Sequence, residues 1–332
     1  MHGAGGPLAE LEFWRDRTAN LESIRVQLHD PQVVASLQAL EAAKSPSLPT
    51  FMGLARDIER EAQRAHSNAQ FLAVLEQPCL RLATATPREV PALLPDILDA
   101  ARLVWTLPSP DYHTPELLAS LLRRVSAAVI ERCHSTLSGA DIFAGGDVHG
   151  ALARLQQCVA TAASWRELYA QAAQRASASL PERPWDFAPA TIFAHLDAFA
   201  QRCLNLQDVC AAQKQFACHL DVDRVVAGPR AAEVGRALEE VRAGFAQQME
   251  RLQGLRYDVL DVRTIAWYED FAAFKAAARD LDVMLGNILA VSFDEAATLA
   301  SQLDALCIFA AAATRDGLRC EGVLPSSDIW YV

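Results

Sequence analysis

The chain has 332 residues, of which 52% are apolar and 7% aromatic, and its net charge at neutral pH is −11. So many apolar side chains can build a sizeable core, which excludes disorder over the whole length. The acidic balance, with no clustered basic residues, argues against a nucleic-acid groove or an anionic membrane patch.

In chain order, apolar residues recur at spacings of three and four, the one-sided pattern of amphipathic α-helices. The clearest stripes lie in residues 11–28, 117–129, 148–169, 192–206, 271–288 and 299–310. Apolar and polar residues seldom alternate with a period of two, so no strand is predicted. No apolar run approaches the roughly 18 residues of a membrane span.

Proline and glycine fall mostly between these stripes, where they interrupt helices. Pro31 and Pro49 mark early breaks, and Gly139, Gly145 and Gly146 indicate a turn. The sequence therefore predicts about ten helices, one of them running from about residue 190 to 220. We expect an all-α fold, an elongated array of antiparallel helical bundles with residual apolar strips left for partners.

The string Gly146-Asp147-Val148-His149-Gly150 resembles the opening of a metallophosphoesterase metal site. Such a two-metal site needs further ligands to fix both ions, and the sequence lacks the later G-D-x-x-D-R-G and G-N-H-E strings. No apolar strand precedes the string, and Val148 begins a helical stripe. The favoured interpretation is a glycine turn in which Asp147 caps the next helix, because Asp accepts from free first-turn amides. A metal-dependent phosphoesterase around Asp147 and His149 stays as the alternative.

A second candidate is a group of cysteines and histidines in one long predicted helix. Its members are His195, Cys203, Cys210, Cys218 and His219. Cys203 and Cys210 share a face but lie roughly 10 Å apart along the axis, too far to hold one zinc ion with bonds of about 2.3 Å. We interpret Cys203 as a small core residue. The eight cysteines form no C-x-x-C pair and no secretory signal is present, which indicates reduced thiols in the cytosol.

Other chemical motifs are missing from the sequence. There is no P-loop, no G-x-G-x-x-G and no G-x-S-x-G elbow. The tryptophans are interpreted as core anchors, and they are Trp14, Trp105, Trp165, Trp185, Trp267 and Trp330. The prediction is that the chain has no catalytic, cofactor-binding or metal-binding residue.

Several short blocks follow one another along the sequence. Glu10 to Arg17 has the pattern E-x-x-F-W-x-x-R. The blocks that follow are Leu103-Val104-Trp105 with Tyr112 and Thr114, residues 130–133, Ile142-Phe143, Trp165 with Tyr169, residues 183–187 with Ile192-Phe193, Asp197, Phe199 and Arg202, residues 257–261, Asp270-Phe271 with Phe274, and residues 290–294. Taken in order, these blocks resemble the N-terminal tail region of dynein heavy chains, and the resemblance spans about residues 8–315. It leaves residues 1–7 as a flexible start and 316–332 unassigned.

The resemblance implies an all-α rod that supports heavy-chain association and the docking of intermediate and light intermediate chains. It looks axonemal more than cytoplasmic, so we expect a place in the cytoskeleton of cilia. A full heavy chain also carries a linker, six AAA+ modules and a microtubule-binding stalk, none of which is found here. We therefore expect no ATPase activity, no cofactor and no direct microtubule contact from this chain. A helical adaptor unrelated to dynein is the remaining alternative.

Overall fold

The computed structural model of the chain describes residues 6–107, 111–179, 185, 187–219, 230–294, 298–300 and 302–303. Over these residues the regular structure is α-helical, with one short 3₁₀ turn and no strand, so the prediction of an all-α fold is confirmed. None of the helices in these ranges is long and apolar enough to cross a membrane.

Eleven α-helices are found in the described ranges. They are α1 (Pro7–Leu28), α2 (Pro31–Ala42), α3 (Leu48–Leu72), α4 (Glu76–Thr84), α5 (Val90–Thr106), α6 (Pro115–His134), α7 (Gly139–Ala144), α8 (Val148–Ser179), α9 (Pro189–His219), α10 (Ala231–Gln253) and α11 (Ala266–Asp294). The 3₁₀ turn, Ala73–Leu75, joins α3 to α4. The long helix predicted near residues 190–220 is α9. The stripe predicted over residues 299–310 lies almost wholly outside the described residues.

The prolines do more than separate helices. Pro31 and Pro49, expected between helices, instead lie in the first turns of α2 and α3. A first-turn proline costs nothing, because the amide it lacks has no partner inside the helix. Pro95 lies in the interior of α5, where a proline normally weakens or kinks a helix. The buried face of α5 compensates, since Leu94 and Ile97 on either side of Pro95 are fully covered.

Two of the three glycines that were predicted to form a turn do so, and the third does not. Gly145 has a φ of +73°, a left-handed conformation that an L side chain rarely adopts. Gly146 follows it in the same turn, but Gly139 is the first residue of α7 rather than part of a loop.

The chain divides into two compact units. The first comprises Met1–Thr136 and Gln157–Ala200, and the second comprises Leu137–Gln156 and Gln201–Val332. In the first unit, Trp165 is fully buried and its indole Nε1 donates to Ser126 Oγ at 2.8 Å. In the second unit, Trp267 is fully buried and stacks on Phe271 with ring centroids 5.6 Å apart. Each unit therefore has an aromatic core of its own.

Candidate interaction surface

The start of α1 is tied to the first unit by a chain of buried polar contacts. The indole Nε1 of Trp14 donates to the hydroxyl of Tyr112 at 2.7 Å, and that hydroxyl donates to Glu10 Oε1 at 2.6 Å. Arg124 of α6 pairs with the other carboxylate oxygen of Glu10 at 3.1 Å. Burial, followed by the hydrogen bond to Glu10, raises the pKa of Tyr112, so this hydroxyl stays protonated and keeps donating.

A second polar contact fixes the far part of α3. Arg64 Nε and Nη2 both donate to the carboxylate of Asp111, and Asn68 Nδ2 donates to it as well. Asp111 is buried, and its hydrogen bonds from Arg64 and Asn68 hold the pKa of this carboxyl below its ordinary value of 3.8. Helices α1 and α3 pack against each other, and we call this pair, with α2 between them in the chain, the α1–α3 hairpin. The contacts of Trp14 and Asp111 form its anchored end.

The opposite end of the same hairpin is not covered. No residue from Arg15 to Glu61 is buried, a stretch that includes most of α1, all of α2 and half of α3. We call residues 15–61 the free end. It carries six large apolar side chains that are 39–65% exposed: Ile24, Val26, Val34, Leu40, Met52 and Leu54. Several large apolar side chains exposed on one pair of helices favour a site that binds other proteins.

The charges of the free end largely cancel. Six basic and seven acidic residues give it a net charge of −1, against −11 for the whole chain. Several of these charges pair with one another, as Arg17 does with Glu61 at 3.1 Å and Arg25 with Glu59 at 3.1 Å. The free end thus presents apolar side chains and little unpaired charge, which suits a dry protein contact better than a polar ligand.

The string Gly146 to Gly150 forms a turn and the first residues of α8. Asp147 accepts from the backbone amide of Gly150 at 2.9 Å, so it caps α8 as predicted from the sequence. A Cβ on residue 150 would lie only 1.9 Å from Asp147 Oδ2, which explains why glycine suits this position. His149 lies exposed in the first turn of α8 rather than at the end of a strand. Throughout the described residues, no three His, Cys, Asp or Glu side chains cluster as metal ligands would.

Two cysteines of α9, Cys203 and Cys210, belong to the core of the second unit. Cys203 and Cys210 are fully buried and are not in a disulfide. Burial raises the pKa of Cys210 to about 11, so its thiol stays protonated at neutral pH. The side chains of Cys218 and His219 lie outside the described ones. The interpretation of Cys203 as a small core residue agrees with its burial.

Arg202 of α9 has a structural task that periodicity did not reveal. Its buried guanidinium donates to the carbonyl oxygens of Val259 at 2.6 Å, Asp261 at 3.3 Å and Thr264 at 3.3 Å, and it lies 5.3 Å from the ring centroid of Trp267. It therefore fixes the loop between α10 and α11. Two blocks of the resemblance meet at this point, because Arg202 closes one and residues 257–261 form another.

The second unit also has an open cleft of about 710 Å³ beside α7, α9 and α10, with both apolar and polar side chains in its wall. Its wall includes Phe216 and Phe245, whose rings stack 4.2 Å apart, and Met249 lies next to them. Sequence periodicity could not find this cleft, since its lining residues come from helices more than 100 residues apart.

The tryptophans agree with their interpretation as core anchors wherever the structure describes them. Trp14, Trp105, Trp165, Trp185 and Trp267 are all buried, and Trp330 lies outside the described residues. The uncovered apolar surface of the free end therefore contains no tryptophan.

The fold defines the class of protein, which is an all-α helical-bundle protein. A sequence model of the family described as "Dynein heavy chain, N-terminal region 1" matches residues 2–322. The chain therefore belongs to the dynein heavy chain family, through this N-terminal region, and the alternative of a helical adaptor unrelated to dynein is wrong.

Three relatives illustrate the family. The chain is 42% identical, over 95% of its length, to the "Dynein-1-beta heavy chain, flagellar inner arm I1 complex" of Chlamydomonas reinhardtii. It is 28% identical over 92% to the "Dynein beta chain, flagellar outer arm" of the same organism, and 26% identical over 87% to "Dynein axonemal heavy chain 2" of Homo sapiens. The chain spans only 5–7% of the length of these relatives.

Proposed function

We propose that the chain is a non-catalytic segment of an axonemal dynein heavy-chain tail and that it supports assembly of the dynein complex. The observation that carries the proposal is the free end of the α1–α3 hairpin. A helical surface with no buried residue over residues 15–61, yet with six exposed large apolar side chains, needs a protein partner to remove them from water. We expect the partners to be dynein heavy chains, intermediate chains or light intermediate chains.

Location follows from the same proposal. The relatives are named as flagellar and axonemal dyneins, and we place this chain in the axoneme, as part of microtubule-based movement. We expect neither ATPase nor phosphoesterase activity. Turnover of ATP, or hydrolysis of an aryl phosphate that is lost in Asp147→Ala, would contradict the non-catalytic part of the proposal.

The binding part is tested with the full chain and purified dynein components. The chain is immobilised and offered recombinant heavy-chain tail, intermediate chain and light intermediate chain, one at a time. We compare Leu54→Arg, in the free end, with the matched control Leu80→Arg on α4, where the leucine is 45% exposed. Arg is a good helix former, so both variants should keep the fold, which circular dichroism verifies.

We expect wild type and Leu80→Arg to retain at least one of these chains and Leu54→Arg to lose it, because a charge at a dry contact is left unpaired. Retention of none of the three chains by wild type would refute the assembly role. Equal retention by both variants would show that the free end is not the surface used.

A further inference from the structure

The open cleft of the second unit, beside α7, α9 and α10, is lined in part by aromatic side chains. Phe216 and Phe245 stack there with ring centroids 4.2 Å apart, and Ala246 and Met249 lie next to them. Gln213 also lines the cleft, and its buried Oε1 has no hydrogen-bond partner among the described residues. A volume of about 710 Å³ is far larger than the roughly 30 Å³ that one water molecule takes up. The cleft therefore has room for side chains from a further element.

An apolar stripe lies uncovered near the end of the described residues. Residues 299–310 carry apolar side chains at helical spacing. The amide of Gln302 donates to the carbonyl oxygen of Thr298 at 3.0 Å, the hydrogen bond of an α-helix. Leu299 and Leu303 lie four positions apart, on one face of a helix, and they are 74% and 53% exposed. A helix with one apolar face needs a surface to pack against.

The packing of α10 against α11 indicates where this stripe begins. A Cβ placed on Gly244 would lie 2.8 Å from Leu281 Cδ2, and Arg251 pairs with Asp270 at 3.4 Å. Higher residue numbers on α10 thus face lower numbers on α11, so the two helices are antiparallel. By this register Asp294, the last residue of α11, lies level with the start of α10.

The distance from the start of α10 to the cleft matches the length of the stripe. Phe245 lies 14 residues after Ala231, the first residue of α10, which is about 21 Å along the helix. A helix formed by residues 295–309 would be about 22 Å long. A chain that leaves α11 and runs back beside α10 can therefore reach Phe245. The part that arrives there, residues 305–313, contains no charged side chain, which suits an aromatic wall.

We propose that residues 299–310 pack along α10 and that the end of this segment, from Leu306 to Ala310, occupies the cleft. Packing of this kind removes the apolar side chains of the stripe from water. The cleft is then filled by the same chain, as a packing site of the second unit and not as a pocket for a small ligand. The proposal goes beyond the proposed function, because it concerns the second unit and holds whether or not the free end binds a partner.

Disulfide trapping in the full chain tests the position of the segment. The segment has a native thiol, Cys307, and Ala246→Cys places a second thiol at an exposed position in the wall of the cleft. The matched control is Ala276→Cys, at an exposed alanine of α11 that the register places level with Ala246 but that is not in the wall of the cleft. Each variant is oxidised with diamide at low protein concentration and digested, and mass spectrometry identifies the peptides joined to Cys307.

We expect Ala246→Cys to form a disulfide with Cys307 within one chain, at least about tenfold faster than Ala276→Cys, because only the first pair is held within bonding distance. Adding Cys307→Ser should abolish this disulfide. A second measurement uses Leu306→Asp, which would place a carboxylate in the cleft and so displace the segment. Maleimide labelling of the cysteine introduced by Ala246→Cys should then become at least about tenfold faster. Circular dichroism verifies that every variant keeps its helices.

Three results would overturn the proposal. The first is a disulfide between Ala246→Cys and Cys307 that forms no faster than that of the Ala276→Cys control. The second is a disulfide that joins two copies of the chain, since the cleft would then hold a segment of another copy. The third is labelling of Ala246→Cys that is equally fast with and without Leu306→Asp. Each of these results would leave the proposed function standing, because the free end is not involved.

Discussion

The two ends of the α1–α3 hairpin differ sharply although they are built from the same helices. At the anchored end, Trp14 is buried and donates to Tyr112 inside the first unit. At the free end, Val26 is 65% exposed and Leu54 is 59% exposed. Both ends contain apolar residues at helical spacing, so the difference lies in whether another element is close enough to cover them.

The two ends of α1 differ in what their apolar side chains contribute. At the anchored end, a polar network around Tyr112 accompanies the buried apolar side chains and holds them in one defined arrangement. Among the described residues, no buried polar network of this kind surrounds the apolar side chains of the free end, and under the proposed function a partner covers them. Substitutions at the anchored end should therefore change the free energy of unfolding, while substitutions at the free end should change binding.

The largest effect is expected at Trp14. Trp14→Ala removes a buried ring and leaves the Tyr112 hydroxyl without its donor, so the free energy of unfolding should fall by about 3–5 kcal/mol. Urea unfolding followed by circular dichroism measures the change. A loss under about 1 kcal/mol would mean that the anchored end does not hold the hairpin in place.

A smaller loss is expected when only the hydroxyl is removed. Tyr112→Phe keeps the ring but leaves the Trp14 indole N–H without its acceptor and Glu10 Oε1 without its donor, while Arg124 still pairs with Glu10 Oε2. Because one of these bonds is to a charged group, we expect a loss of about 1.5–3 kcal/mol in the same urea experiment. If Tyr112→Phe were as stable as wild type, water would have to replace the hydroxyl at this buried site.

The loss of unfolding free energy in Asp111→Asn should be smaller still, and it should depend on pH. Asp111→Asn removes the charge that faces Arg64, whose side chain is 44% exposed, so water screens the pair and we expect a loss of about 1 kcal/mol at neutral pH. Because the pKa of Asp111 is lowered in the folded state, its stabilisation is present above about pH 4 and is lost as pH falls through the folded pKa. The difference between wild type and Asp111→Asn should therefore shrink in thermal melts below pH 4. A difference that stays constant down to pH 2 would exclude the ion pair as its cause.

The smallest effect on stability is expected at the free end. Val26→Gln and Leu54→Gln place polar side chains where water already reaches, so each should change the free energy of unfolding by less than about 0.5 kcal/mol. The same variants should weaken binding of the proposed partners in pull-down. A loss of stability comparable to that of Trp14→Ala would show that the free end is covered within the chain itself.

Most of the helices could be predicted from the sequence, but the positions of some prolines within helices could not. The stripes over residues 117–129 and 192–206 correspond to α6 and α9, because a 3.6-residue period is a local property of the chain. Pro95 lies inside α5, in a part of the chain where the sequence predicted no helical stripe, and tertiary burial of α5 outweighs the local cost of this proline. The hydrogen bonds of Arg202 could not be predicted either, because its carbonyl acceptors lie 57–62 residues further along the chain.

The sequence by itself determined that the chain is helical, that Asp147 caps a helix, and that the chain resembles dynein heavy chains. Only the tertiary structure decided how the stripe of α1 is used. Leu11 and Trp14 are buried, Ile24 is 40% exposed, and all three belong to one periodic pattern. Periodicity reports which residues share a helix face, whereas burial depends on neighbours brought from distant parts of the chain, so the free end became visible only in three dimensions.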